Sequence, residues 1–158
     1  MHPKYNDVAV IILAAGKGTR MKSHKAKVLH GICGKPMIMY VVATAVRLAG
    51  NNVIVVIGHD AENVEMTVAA EFDVCFALQA EQFGTGHAVQ CALPYLSKDA
   101  KDVVIMCGDV PLVRAETIWQ LIARHKTNQN DVTVLTMQLE YPRGYGRMLV
   151  DDCGCVLN

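Results

Sequence analysis

The segment Leu13-Ala-Ala-Gly-Lys-Gly-Thr-Arg-Met21, followed closely by Lys27, holds the residue types that a bound phosphate needs. Small side chains at Ala14 and Ala15, with Gly16 and Gly18, let the backbone approach a ligand closely. A run of free backbone N–H groups forms a concave anion site. Arg20 and Lys27 add positive charge beside it, with Lys17, Lys22 and Lys25 close by in sequence. A glycine-rich turn carrying solvated lysines is the ordinary alternative for a lone Gly-x-Gly. Here the glycines follow a strand-like run and the cations gather in one loop, so phosphate is the natural guest.

Two familiar phosphate loops do not fit. The P-loop pattern needs four residues between its first glycine and a Gly-Lys-Ser/Thr, and that pattern is absent. A dinucleotide fingerprint would place its third glycine at position 21, where this chain has Met21. It would also need an acidic residue roughly 20 residues further on, ending the second strand. Asp60 lies much too far along.

Short apolar runs must position this loop. Val8–Leu13 is continuous and rich in β-branched residues, as in a strand buried on both faces. Val53–Ile57 and Val103–Cys107 read the same way, and Val74–Leu78 and Val132–Met137 are further strand candidates. Helical patterns lie between them at Lys35–Leu48, Ala61–Glu71, His87–Leu96 and Ala115–Lys126; the first opens with Pro36 and closes near Gly50. Strand and helix in alternation predict a three-layer, Rossmann-like α/β domain with a mainly parallel sheet and helices on both faces. With no repeat, low-complexity tract or linker, residues 1–158 read as one domain. Ligands of such sheets bind at the carboxyl ends of the strands. That points to the loops after Leu13, Ile57, Leu78 and Cys107.

Composition narrows the function classes. Acidic and basic residues cancel at 15 each, so the broad positive field of a polymeric nucleic-acid binder is missing. No stretch of 18 apolar residues suggests a membrane span, and the polar opening Met1–Asp7 is unlike a signal peptide. A cytoplasmic location is the expectation. Three of the six cysteines lie in apolar runs, where they are expected to be buried like small hydrophobes. Cys153-Gly154-Cys155 lacks the second Cys or His pair of a zinc site and reads as reduced thiols in a hairpin turn. No metal-ligand spacing links the six histidines, and His59 at a strand end reads as structural.

The opening loop together with Lys27-Val-Leu-His30 resembles the signature of the nucleotide-diphosphate-sugar pyrophosphorylases. Three later blocks resemble one branch of that family, the N-acetylglucosamine-1-phosphate uridylyltransferases. Gln79-Ala-Glu-Gln-Phe-Gly-Thr-Gly-His-Ala88 looks like their base-recognition segment, Gly108-Asp-Val-Pro-Leu112 like their metal-binding strand end, and Gly144-Tyr-Gly-Arg147 like their sugar-side loop. The four blocks stand in the family order across most of the chain. The resemblance implies a reaction in which UTP and N-acetylglucosamine 1-phosphate give UDP-N-acetylglucosamine and pyrophosphate, with Mg²⁺ required. The product would feed bacterial cell-wall synthesis.

The same resemblance implies the roles. The reactants are both anions, so charge neutralisation and in-line positioning carry the chemistry. Arg20 and Lys27 take the catalytic roles: Arg20 grips the triphosphate with its planar fork, and Lys27 stabilises charge at the α-phosphate. Leu13, Ala14, Ala15, Gly16, Gly108 and Lys27 fall on the nucleotide side. Asp109 falls on Mg²⁺, its ordinary alternative being a turn aspartate before Pro111. The Gln79 amide matches two adjacent groups of the uracil edge, with Gly84 and Thr85 letting the backbone pass the base. Gly146 falls on the sugar side. In one departure, the family has Pro immediately before its lysine and this chain has Ala26, so a looser loop is expected.

In the family this domain continues beyond the length seen here and is fused to a β-helix acetyltransferase domain. The remaining sugar ligands and a second metal ligand are therefore expected outside these residues, with weak turnover by this chain alone. A site completed by another copy stays open. Two other readings remain: a nucleotidyltransferase for a different sugar phosphate, sugar-like acid or pterin cofactor, and a module that binds UTP or UDP-sugar without turnover.

Overall fold

The computed structural model describes residues 5–18, 21–23 and 25–157. Its elements follow in chain order. Strand β1 (Val8–Leu13) leads through a single 3₁₀ turn at Lys27–Leu29 to a small hairpin of β2 (Gly31–Ile32) and β3 (Lys35–Pro36). Then come α1 (Met37–Ala49), β4 (Val53–Ile57), α2 (Ala61–Ala69), β5 (Cys75–Leu78), α3 (Thr85–Ala92), β6 (Asp102–Cys107) and α4 (Ala115–Asn128).

The four longer strands form one parallel sheet in the order β5-β4-β1-β6. From β1 the chain steps outward through β4 to β5, then returns over the sheet to place β6 on the other side of β1. The direction of winding therefore reverses between β1 and β6. At such a switch point the connections leave in opposite directions and open a crevice at the carboxyl edge. Leu13 and Cys107 pair in register there.

Central placement explains the composition of β1 and β4. Val8–Ile12 are fully buried, and every residue of β4 is buried. On one face Ile11, Ile54, Val56 and Ala77 pack against Ala88 and Ala92 of α3. The other face meets α1, whose Ile38, Val41, Val42, Ala45 and Leu48 fall on one helical stripe and are buried. Helix α1 starts just after Pro36 and ends at Gly50, whose N–H bonds Val46 O with φ +61°. The α3 helix is shorter than its apolar pattern suggests. Pro94 has no N–H to continue the ladder, and the chain closes with a 3₁₀ turn at Leu93–Tyr95.

Three sequence expectations fail here for tertiary reasons. Val132–Met137 forms no strand, and Val132, Val134, Leu135 and Met137 are exposed. A β-rich run becomes a strand only when another strand pairs with it. Strand β6 is not buried on both faces: it is an edge strand on which Val103, Ile105 and Cys107 are exposed. The cysteines of the apolar runs are not core residues either, since Cys75 and Cys107 are exposed and Cys91 is only partly covered. Among the described residues, no helix is long and apolar enough to cross a membrane.

The chain divides into two compact units, the first ending at Trp119 and the second starting at Gln120. In the second unit, Val150 and Val156 form an isolated antiparallel bridge. Asp151 closes the turn between them, its Oδ1 accepting the N–H groups of Cys153 at 2.9 Å and Cys155 at 2.8 Å. Both thiols are free and exposed.

Candidate functional site

The end of β1 is tied into its neighbours by backbone hydrogen bonds. Ala14 N–H donates to Val56 O at 2.9 Å, Gly108 N–H to Leu13 O at 2.9 Å and His59 N–H to Ala15 O at 3.1 Å. Gln79 N–H donates to Ile57 O at 2.8 Å, linking the end of β5 to the end of β4. The carboxyl ends of all four strands thus form a stitched floor. Above it lies a cleft of about 290 Å³.

The structure brings most of the sequence-selected residues to this cleft. Leu13, Ala14, Ala15 and Gly16 line one side. Gln79, Gly84 and Thr85 line the other, and Lys27 and Asp109 stand at the β1–β6 end. Among the described residues, the N–H groups of Gly16, Lys17 and Gly18 have no hydrogen-bond partner, which leaves donors for an anion. Lys27 Nζ lies 2.6 Å from Asp109 Oδ2, with both side chains partly exposed. Gly18, at φ +59°, sits under this lysine; a Cβ there would lie 2.8 Å from Lys27 Cβ.

Other selected residues stand elsewhere. Gly108 does not line the cleft. A Cβ on it would meet Leu13 O and Val28 Cγ1 at 3.1 Å, so it permits close packing beneath the loop. Gly146 belongs to the second unit, beside a turn in which Tyr145 N–H donates to Pro142 O. Arg20 lies outside the described residues. Sequence reasoning missed Val28, Gln82, Ala88 and Cys107, which also line the cleft. Although Cys107 is exposed as a residue, partial shielding of its thiol at the cleft, seconded by the Asp109 carboxylate and opposed by Lys27, pushes it above its ordinary range.

Gln79 is the one buried polar side chain among the described residues, at 3% exposure, rather than part of a solvated turn. Its Nε2 donates to Gly84 O at 3.0 Å and contacts His87 Nδ1 at 3.1 Å. The expectation that this amide offers both a donor and an acceptor to a base therefore fails. The donor end is engaged within the protein, and Oε1 alone is left for a ligand.

The residue before Lys27 is anchored. Ala26 is fully buried, and its N–H donates to Asp60 Oδ2 at 3.0 Å, across 34 positions of sequence. Its backbone, at φ −53° and ψ 139°, would suit a proline, but a proline has no N–H to give Asp60. Asp60 adopts the left-handed region, φ +60°, at the start of α2, and its Oδ1 accepts from Asn63 Nδ2 at 2.6 Å. The Ala26 N–H, seconded by Asn63, holds the Asp60 carboxyl below its ordinary pKa of 3.8, against a smaller opposing effect of burial. A lowered folded-state pKa means that the bond contributes fully above the unfolded value and is lost as pH falls through the folded one. The stability gap between wild type and Asp60→Ala should therefore stay constant above pH 3.8 and narrow in stronger acid. Chemical denaturation across that range measures it, and a gap that widens in acid would contradict the assignment.

Asp109 is the only carboxylate on the cleft among the described residues, and no cluster of three or more metal-ligating side chains occurs among them. One carboxylate with an oxygen free of protein donors suits a hard ion that takes its remaining ligands from phosphate and water.

Comparison with known proteins gives relatives in sequence and in fold. The chain is 51% identical over 151 residues to the bifunctional protein GlmU of Pelobacter propionicus, covering 96% of this chain and 33% of that protein. It spans about a third of the length of these curated relatives. Among solved structures, a nucleotidyl transferase from Methanothermobacter superposes with TM-score 0.66 at 22% identity, covering 75% of this chain and 58% of that one. The Rv0371c protein of Mycobacterium tuberculosis, in complex with manganese, superposes with TM-score 0.60 at 21% identity, covering 77% and 60%. These two likenesses concern the fold. A family model described as the MobA-like NTP transferase domain matches residues 10–153, and the chain belongs to that family.

Proposed function

We propose that this chain forms the nucleotide-binding part of a uridylyltransferase that joins UTP to N-acetylglucosamine 1-phosphate, releasing pyrophosphate. The observation that carries this reading is the cleft itself. It holds a buried amide acceptor at one end and a lysine–carboxylate pair at the other, with unpaired loop N–H groups lining the side near Gly16. A base, a ribose and a phosphate chain have that sequence of needs. The likeness to bifunctional GlmU proteins and the four sequence blocks support the sugar.

In this reading a phosphate oxygen of the sugar phosphate attacks the α-phosphorus of UTP. The bond to the β-phosphate breaks and pyrophosphate leaves. Lys27 Nζ then neutralises charge on the α-phosphate, and the Gly16–Gly18 N–H groups hold the phosphates. Asp109 would hold Mg²⁺, which when bound screens the phosphate charges. Arg20 is assigned to the triphosphate from the sequence pattern. Gly146 is assigned to the sugar on the same ground.

The test is UTP affinity by calorimetry and pyrophosphate release on the same sample, with Mg²⁺ and N-acetylglucosamine 1-phosphate. A folded sample that fails to bind UTP would refute the reading. Preference for another nucleoside triphosphate would transfer the chain to a different branch of the family. Gln79→Ala should weaken UTP binding by about 1–3 kcal/mol, because the base loses a buried partner. Binding of inorganic triphosphate should change far less. Equal loss for both ligands would show that Gln79 does not read the base.

A further inference from the structure

We infer that His87 is a positioning residue for base selectivity: it holds the Gln79 amide so that only its acceptor faces the cleft. This rests on the proposed uridine nucleotide site and says why that site would refuse cytidine.

One atom of the Gln79 side chain has a fixed identity. The Gln79 amide atom 3.0 Å from Gly84 O must be its NH₂, because a carbonyl oxygen only accepts. That same nitrogen lies 3.1 Å from His87 Nδ1. An amide nitrogen only donates, so Nδ1 must accept and carries no proton. The neutral ring then bears its proton on Nε2, and Nε2 lies 3.7 Å from the Cys91 sulfur, one helical turn further along α3. The Phe83 ring, with its centroid 5.2 Å from that of His87 and tilted by 54°, packs on the imidazole and limits its rotation. Both N–H groups of the Gln79 amide are thereby used inside the protein. Oε1 accepts no hydrogen bond among the described residues.

An acceptor alone discriminates between pyrimidines. Uracil carries a proton on its ring N3 and can donate to Oε1. Cytosine has a lone pair at N3, and two acceptors facing each other repel. Were the amide free to turn, it would offer its NH₂ and suit cytosine equally well. The Gly84 carbonyl alone leaves one amide hydrogen uncommitted, and His87 commits the second.

The experiment compares UTP, CTP and inorganic triphosphate binding by calorimetry for wild type, His87→Phe and His87→Asn. Phenylalanine keeps a ring but removes the acceptor. Asparagine can return an oxygen acceptor near the Nδ1 position. The phenylalanine variant should lose roughly tenfold of the UTP-over-CTP preference, as expected for one released hydrogen bond. Its triphosphate affinity should be unchanged, and asparagine should restore much of the preference. An unchanged preference in His87→Phe would overturn the inference and leave the uridine site standing. A wild type without preference for UTP would overturn both. Nitrogen-15 NMR of the wild-type imidazole gives a second measure that needs no variant to fold. The neutral ring should show an unprotonated Nδ1, and a neutral ring protonated on Nδ1 would overturn the inference.

Discussion

Replacing Lys27 with alanine should lower the rate of pyrophosphate release by about 10²–10³, the usual cost of removing a preorganised charge aimed at a transition state. UTP affinity should fall much less. A group that meets charge as it develops at the α-phosphate contributes more to the transition state than to the bound substrate. The structure holds this lysine firmly in place. It opens a single 3₁₀ turn whose other residues, Val28 and Leu29, are buried. Gly18 supports its Cβ from below, and the Ala26 N–H bond to Asp60 fixes the residue before it. The 2.6 Å pair with Asp109 sets the direction of the ammonium. With both side chains partly exposed, that pair adds little to stability, so the alanine variant should remain folded. Lys27→Arg should restore only part of the rate, because a planar fork cannot occupy the place of a compact ammonium. Equal losses in UTP affinity and rate for Lys27→Ala would show instead that the lysine serves the ground state.

The central strands were legible because burial on both faces leaves its mark in each residue: Val8–Leu13 and Val53–Ile57 admit no polar side chain. The loop after β1 was legible for a related reason, since the glycine spacing and cations are local properties of one segment. What could not be read depends on partners far away in sequence. Val132–Met137 has the composition of a strand but pairs with none among the described residues. The apolar run of β6 lies at a sheet edge, a fact decided by where β1 sits and not by β6 itself. Gln79 was visible as a candidate, yet the loss of its donor end depends on the fold of α3 over β5. The bond from Ala26 to Asp60 joins two residues that no pattern connects, and it holds the position at which the missing proline suggested looseness. One signal was present and unused. Glycine directly follows both β4 and β6, at Gly58 and Gly108, and each proves to be a point of close backbone contact.

Gly58→Ala should therefore damage both the fold and the site. A Cβ at Gly58 would lie 2.8 Å from Ala15 Cβ, 2.9 Å from Gln79 O and 3.1 Å from Ala15 O. Two of these are backbone oxygens stitched into the sheet edge, so they cannot swing aside as the tip of a flexible side chain would. The added methyl must push β4 away from the β1 loop on one side and from the end of β5 on the other. Overpacking of this kind costs about 1–3 kcal/mol in stability. A denaturant midpoint shifted at unchanged slope measures that cost. Ala15 and Gln79 border the two sides of the cleft, so UTP binding should weaken even at temperatures where the variant is fully folded. Gly16→Ala is the contrasting case. No atom lies within 4 Å of a Cβ placed there, and Gly16 itself lines the cleft. That substitution should leave the denaturant midpoint nearly unmoved while weakening triphosphate binding, because the new methyl points at no protein atom and stands where a phosphate must approach the backbone. If Gly16→Ala left triphosphate affinity intact, the phosphates would have to lie elsewhere in the cleft. If Gly58→Ala proved as stable as wild type, the contact between the ends of β1, β4 and β5 would not be the close one described.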